Sequence, residues 1–131
     1  PANPLSAYIL ATVAVVNKQY KTAIVHLENA IQINNGETGL LSSVELNLAQ
    51  IYLELGSCRS ASGDILDAEK DFVRSLEYNP LMALPYVLLG NCRFLHGDKK
   101  EAEKMYEHAL AINPSLENAS YGLALCRTSK K

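Results

Sequence analysis

One pattern of residues occurs three times along this chain, and the repetition restricts the folds that the chain can adopt. Residues 101–114 (EAEKMYEHALAINP) match residues 67–80 (DAEKDFVRSLEYNP) in type and order at an interval of 34 positions, and a third copy spans residues 20–34. In each copy a bulky residue lies between two small ones: Ala23, Leu27 and Ala30; Ala68, Phe72 and Ser75; Ala102, Tyr106 and Ala109. One such unit cannot bury its own apolar face, so we expect the copies to stack on one another.

The clearest copy lies within residues 86–114, which read as two amphipathic helices joined by a tight turn at Gly97-Asp98. The first helix contains Leu89-Gly90, and the second carries the small and bulky positions before Asn113-Pro114. This order of residues resembles the tetratricopeptide repeat (TPR) family. The resemblance implies a right-handed superhelix of antiparallel helix pairs, in which the first helix of each pair lines a concave groove. In this family the groove holds peptides or helices of partner proteins.

We predict an all-α fold of about seven antiparallel helices, arranged as three helix-turn-helix repeats and a final helix. The expected bounds are about 4–35, 42–80 and 83–114 for the repeats and about 115–128 for the final helix, within a single domain of residues 1–131. In the second repeat we expect Gly56 to end the first helix and the small, polar residues 57–63 to form an inserted surface loop. The chain starts without methionine, so we expect a fragment of a longer protein.

The composition argues against a membrane-spanning or nucleic-acid-binding protein. Hydrophobic residues make up 48% of the chain, yet no apolar run approaches the length that spans a bilayer. The formal net charge is −2, whereas binding to nucleic-acid phosphates requires a positive surface. Cys58, Cys92 and Cys126 include no close pair, so neither a disulfide framework nor a zinc site is indicated. We therefore expect a reducing, intracellular location, the cytoplasm.

Residue patterns typical of enzymes are missing from the sequence. It contains no Gly-x-x-x-x-Gly-Lys loop for phosphates, no Gly-x-Ser-x-Gly elbow and no His-Glu-x-x-His helix. The three histidines fall in three different predicted elements, and Asp67, Glu69, Asp71 and Glu77 are expected on solvated helix faces. Cys58 is expected to be exposed in the inserted loop beside Arg59, where a passive thiol is favoured over a reactive one. We predict no enzymatic activity, no metal and no cofactor.

The resemblance assigns groove positions to the first helix of each repeat and to the final helix. The candidate partner-binding residues are Tyr8, Thr12, Leu46, Asn47, Gln50, Leu84, Val87, Leu88, Asn91, Leu95 and Tyr121, and Glu54, Asn118 and Leu125 take further groove positions. The apolar members would form a floor that selects hydrophobic side chains. The amides both donate and accept hydrogen bonds, so they would hold a peptide backbone without demanding a sequence. We predict a protein-interaction module that acts as an adaptor or scaffold.

Some members of the family bind the C-terminal carboxylate of heat-shock chaperones through lysine, arginine and asparagine side chains. At the corresponding positions this chain has Tyr8 and Thr12 in the first repeat and Leu84 and Leu88 in the third. Only Asn47, in the second repeat, matches the family's pattern. A bound carboxylate would lack a counter-charge. Heat-shock chaperone tails are therefore not expected as partners.

The first predicted helix offers an alternative role. Residues 5–16 are apolar nearly all round, which is typical of a helix that is covered on every side. We expect its outer face, which carries Leu5, Ile9, Val13 and Val16, to pack on upstream repeats or on a second copy of the chain. The chain would then be a structural or self-association segment of a larger solenoid or of a multisubunit complex.

Overall fold

The computed structural model describes residues 4–36 and 47–128, and these form seven helices and no strand. The helices are α1 (Pro4–Val16), α2 (Tyr20–Gly36), α3 (Leu48–Ala61), α4 (Ile65–Tyr78), α5 (Leu84–Leu95), α6 (Lys99–Ile112) and α7 (Glu117–Thr128). Contacts between Cα atoms group the chain into two compact units, residues 1–78 and residues 79–131. The prediction of an all-α fold of seven helices is confirmed for the described residues.

The small residues of the repeated pattern lie where paired helices approach most closely. In α2, α4 and α6 the side chains at both small positions are fully buried, namely those of Ala23, Ala30, Ala68, Ser75, Ala102 and Ala109. The one polar member is satisfied, because the Ser75 hydroxyl donates a hydrogen bond of 2.6 Å to the carbonyl oxygen of Ala49 on α3. Small side chains at these positions let two helix backbones pack closely over their full length.

The predicted loop at residues 57–63 is wrong, because α3 continues through Ala61. Gly56 does not end a helix: it lies inside α3, where a Cβ atom would stand 2.6 Å from Cε1 of Phe72 on α4. Gly90 on α5 has the same relation to Tyr106 on α6, at an interval of 34 residues. The turns after α3 and α5 are also 34 residues apart. Their glycines, Gly63 (φ +92°) and Gly97 (φ +83°), both adopt the left-handed conformation that glycine tolerates. From Gly56 onwards the second repeat therefore contains no insertion.

Three predictions about exposure are also wrong. Cys58 is buried in α3, not exposed in a loop, and burial, together with the charge of Glu54, raises the pKa of its thiol. Glu69 and Asp71 are buried rather than solvated, and Nη1 of Arg59 donates to both carboxylate oxygens of Asp71, at 2.9 and 2.7 Å. Burial raises the pKa of Asp71, although the hydrogen bond from Arg59 opposes the rise. The second terminal nitrogen of Arg59 contacts Glu28 on α2, so one guanidinium joins α2, α3 and α4.

We expect Gly56→Ala to lower the free energy of unfolding by about 1–3 kcal/mol. The added methyl group would lie 2.6 Å from the Phe72 ring and 3.1 Å from the carbonyl oxygen of Ala68, which is fixed in the backbone of α4. The higher helix propensity of alanine, about 1 kcal/mol, offsets only part of this cost. Urea unfolding followed by circular dichroism measures the change.

The control for this prediction is Ser57→Ala, at the neighbouring exposed position of the same helix. It should change the stability by less than about 0.5 kcal/mol. A Gly56→Ala chain as stable as the wild type would contradict the close approach of α3 and α4.

Candidate functional site

Each unit has a cleft whose lining includes at least one residue that the sequence assigned to the groove. We name the cleft of the first unit the acidic cleft; it has a volume of about 260 Å³ and is lined by Val15, Tyr20, Glu54, Ser57, Cys58 and Ala61. We name the cleft of the second unit the amide cleft; it has a volume of about 340 Å³ and is lined by Asn91, Phe94, Leu95, Tyr106, Asn118, Tyr121, Gly122 and Leu125.

The amide cleft exists because an aromatic ring rests against helix backbone. Tyr106 is buried, and a Cβ atom added at Gly122 would lie 2.5 Å from its Cζ atom. The ring thus forms the base of a cleft between α5 and α7. The Tyr106 hydroxyl donates a hydrogen bond of 2.6 Å to Oδ1 of Asn91. Burial raises the pKa of Tyr106 to about 12, so the phenol keeps its proton at neutral pH and continues to donate.

This hydrogen bond decides what the cleft offers to a ligand. Because Oδ1 of Asn91 already accepts from Tyr106, its amide nitrogen is the group left to donate outward. Around it, Leu95 is 69% exposed and Tyr121 is 68% exposed. The arrangement combines an apolar wall with an oriented N–H donor, which suits an apolar side chain whose neighbouring backbone carbonyl accepts a hydrogen bond.

In the acidic cleft, one carboxylate is held by two neutral donors. Oε2 of Glu54 accepts a hydrogen bond of 2.5 Å from the Tyr8 hydroxyl and one of 3.0 Å from Nε2 of Gln50. Glu54 is half-buried, and Val15 and Ala61 supply apolar walls near it. Tyr8 and Gln50 were predicted as direct partner contacts, whereas the structure shows them positioning the Glu54 carboxylate.

The other predicted groove residues have different surroundings. Asn47 is the N-cap of α3, where its Oδ1 accepts from the backbone N–H of Gln50 at 3.2 Å. The Thr12 hydroxyl donates to the carbonyl of Tyr8 within α1. Val87 is buried in the core of the second unit, so it is not available to a partner. Leu84 is exposed and Leu88 is half-buried on α5 outside the lining of the amide cleft, and Leu46 lies outside the described residues.

Three lining residues of the amide cleft were not predicted as groove residues: Phe94, Tyr106 and Gly122. The repeated pattern identifies Tyr106 as the bulky residue between two small ones; it packs in the core of the second unit, and its ring also reaches the cleft. Gly122 carries a signal that could have been used, because a glycine inside a helical pattern often marks a close approach of another group.

A third pocket, of about 430 Å³, lies in the first unit around Tyr52, Leu55 and Arg59. Its cations are engaged with neighbouring side chains. Arg59 pairs with Asp71 and Glu28, Lys70 lies 3.7 Å from Asp67, and Arg74 stacks over the Tyr52 ring at 5.5 Å. We therefore assign this pocket to the packing of α2, α3 and α4 rather than to a ligand.

Within residues 4–36 and 47–128, no helix is both long enough and apolar enough to cross a bilayer. Over the same residues, no three histidine, cysteine or acidic side chains come together in a way that could hold a metal ion.

Tyr8 makes stability depend on pH in the alkaline range, because its hydroxyl is partly buried and donates a hydrogen bond to Glu54. Burial, the hydrogen bond to Glu54 and the charge of Glu54 raise the pKa of Tyr8 to about 12, from a usual value of 10.0. The folded chain therefore holds this proton more tightly than the unfolded chain does. The corresponding stabilisation is fully present below pH 10 and is lost as the pH rises towards 12.

We expect Tyr8→Phe to lower the free energy of unfolding by about 1 kcal/mol at neutral pH. The loss should be smaller at about pH 10.5, because the wild type has then lost part of the stabilisation. Urea unfolding at the two pH values tests this, and an equal loss at both would contradict it.

In Glu54→Gln, which keeps an acceptor without the charge, the pKa of Tyr8 should fall towards 10, as followed by ultraviolet absorbance.

Comparison with known proteins identifies one repeat and the fold. Residues 83–116 match the family model described as tetratricopeptide repeat. A comparison with curated protein sequences gave no significant match.

Solved structures with the same fold cover nearly the whole chain. The TPR domain of Arabidopsis OM64 is 19% identical with a TM-score of 0.83, and the alignment covers 97% of this chain and 96% of that one. The first TPR of Spaghetti (RPAP3), bound to the HSP90 peptide SRMEEVD, is 17% identical with a TM-score of 0.82 and coverages of 96% and 91%. The Sgt2 TPR domain from Aspergillus fumigatus is 20% identical with a TM-score of 0.77 and coverages of 95% and 77%.

The repeat match, the helical pairs and the shared fold agree with the resemblance read from the sequence. The family model identifies one tetratricopeptide repeat at residues 83–116, and the solved structures show that the chain has the fold of TPR domains.

Proposed function

We propose that this chain is a protein-interaction module that holds an apolar-anchored segment of a partner protein, as an adaptor or scaffold. The observation that carries the proposal is the amide cleft. It offers an apolar wall with Leu95 and Tyr121 largely exposed, and an amide donor on Asn91 that Tyr106 fixes in orientation. Ligand sites are typically concave and mostly apolar, with a few oriented polar groups.

The fold is compatible with this role, since one structural neighbour holds a peptide in its TPR domain. The peptide named there, SRMEEVD, is acidic, whereas this chain places leucines at the positions where a carboxylate clamp needs cations. The Glu54 carboxylate in the acidic cleft would repel such a tail. These features support a partner other than a heat-shock chaperone tail.

We expect random peptides selected by phage display on the chain to be rich in bulky apolar residues. Their affinity should fall at least about tenfold in Leu95→Glu, because a charge replaces apolar contact area in the amide cleft. Fluorescence anisotropy with the recovered peptides measures the affinity. Asn91→Asp, which keeps the acceptor for Tyr106 but removes the N–H donor, should also weaken binding.

The matched control is Leu81→Glu, which makes the same substitution in the same unit at a leucine that is 77% exposed and lies outside the cleft. This variant should bind like the wild type. If Leu95→Glu also binds like the wild type, the amide cleft is not the binding site.

A second candidate function is self-association through α1, and the exposure of its outer face favours it. Leu5, Ile9, Val13 and Val16 are all exposed, while the inner face packs through small side chains at Ala11 and Ala14. Such a row of large aliphatic side chains in contact with water typically marks an interface. The chain would then be a structural segment of a larger solenoid or complex.

We expect the wild type to show a mass that increases with concentration in sedimentation equilibrium, and Val13→Glu to remain monomeric. The control is Val25→Glu on α2, since Val25 and Val13 are about equally exposed, at 54% and 53%. A wild type that stays monomeric at high concentration would rule out self-association through α1.

A further inference from the structure

We infer that the acidic cleft receives a basic side chain, lysine or arginine, from a partner protein. This inference rests on the proposed function and specifies the chemistry of the partner. It starts from Glu54, whose carboxylate is half-buried on α3. A carboxylate offers about four acceptor positions. The two hydrogen bonds from Tyr8 and Gln50 both fall on Oε2, which leaves Oε1 for a ligand.

The charge of Glu54 is not balanced within the described part of the chain. In the same unit, Glu28 and Asp71 are paired with Arg59, Asp67 with Lys70 and Glu77 with Arg74. Glu54 is more enclosed than Glu28 or Glu77, yet among the described residues its partners are a phenol and an amide, both neutral. A partly buried charge without a counter-charge is costly, so a cation supplied by a ligand would be stabilised there.

The apolar lining of the acidic cleft suits the aliphatic stem of a lysine or arginine side chain. Val15 and Ala61 give apolar walls, and Tyr20 presents an aromatic ring, within a volume of about 260 Å³. Lysine and arginine pack their aliphatic stems along such surfaces while the charged head reaches a polar group. Cys58 also lines the cleft, and because its thiol pKa is raised, it stays neutral and adds no second anion at neutral pH.

Other occupants fit less well. An aliphatic side chain would fill the cleft but would take Glu54 further from water without giving it a partner. An acidic side chain would meet a like charge, which costs binding energy. A basic side chain would pack its stem on the apolar walls and donate a hydrogen bond to Oε1 of Glu54.

The test uses the 131-residue chain and random peptides displayed on phage. Peptides selected on the wild type should be enriched in lysine or arginine at one position. Their affinity for Glu54→Gln should be about tenfold lower, the order expected when a charge-assisted hydrogen bond is lost. Replacing the basic residue of the peptide by norleucine should weaken binding to the wild type by a similar factor. It should weaken binding to Glu54→Gln far less, since the two groups act as a pair.

The control is Glu77→Gln, which removes the same charge from the same unit at a site outside the cleft and should leave the affinity unchanged. Glutamine at position 54 can still accept from Tyr8, so the variant is expected to fold, and its unfolding curve checks this. Selected peptides without a basic preference, or equal affinity for Glu54→Gln, would overturn the inference. If those peptides still depended on Leu95, the proposed function would stand; if no selected peptide depended on Leu95 or on Glu54, both would fail.

Discussion

The contact between the Tyr106 ring and the backbone of two helices is the constraint on which the second unit depends. A Cβ atom at either Gly90 or Gly122 would stand within 2.6 Å of this ring, so α5 and α7 approach α6 only because both residues are glycines. The same ring forms the base of the amide cleft, and its hydroxyl orients Asn91. Packing and the candidate site therefore share one side chain. Gly56 and Phe72 make the equivalent close contact in the first unit.

In the first unit, Arg59 and its carboxylate partners hold helices together, whereas Glu54 has no cationic partner among the described residues. Arg59 joins α2, α3 and α4 through the exposed Glu28 and the buried Asp71, and loss of Arg59 would be costly because it would leave Asp71 without its cation. Glu54 has neutral donors instead and lies at a cleft. The difference matters for function, because a paired charge has little left to offer a ligand, whereas Glu54 retains both its charge and an acceptor.

Local sequence patterns predicted the helix pairs but misplaced one boundary. Gly56 was read as a helix end because glycine is a poor helix former, yet its 34-residue equivalence with Gly90 was present in the sequence. Asn47 and Val87 were assigned to the groove by position along a helix. The structure gives the amide of Asn47 to a helix cap and the side chain of Val87 to the core. Which face of a helix meets a partner depends on how neighbouring helices cover it, and that information is not local.

The sequence by itself determined the helices, their pairing and the resemblance to the tetratricopeptide repeat, because the 34-residue recurrence of small and bulky residues is a local pattern typical of stacked helix pairs. It also determined the apolar character of α1. Only the tertiary structure decided which groove residues are accessible and what each one offers. Asn91 became an oriented donor because Tyr106 reaches its oxygen, and Glu54 became a site for a cation because Tyr8, 46 residues away in sequence, holds one of its oxygens. Both effects require side chains from different helices to meet at hydrogen-bonding distance, which no spacing along the chain specifies.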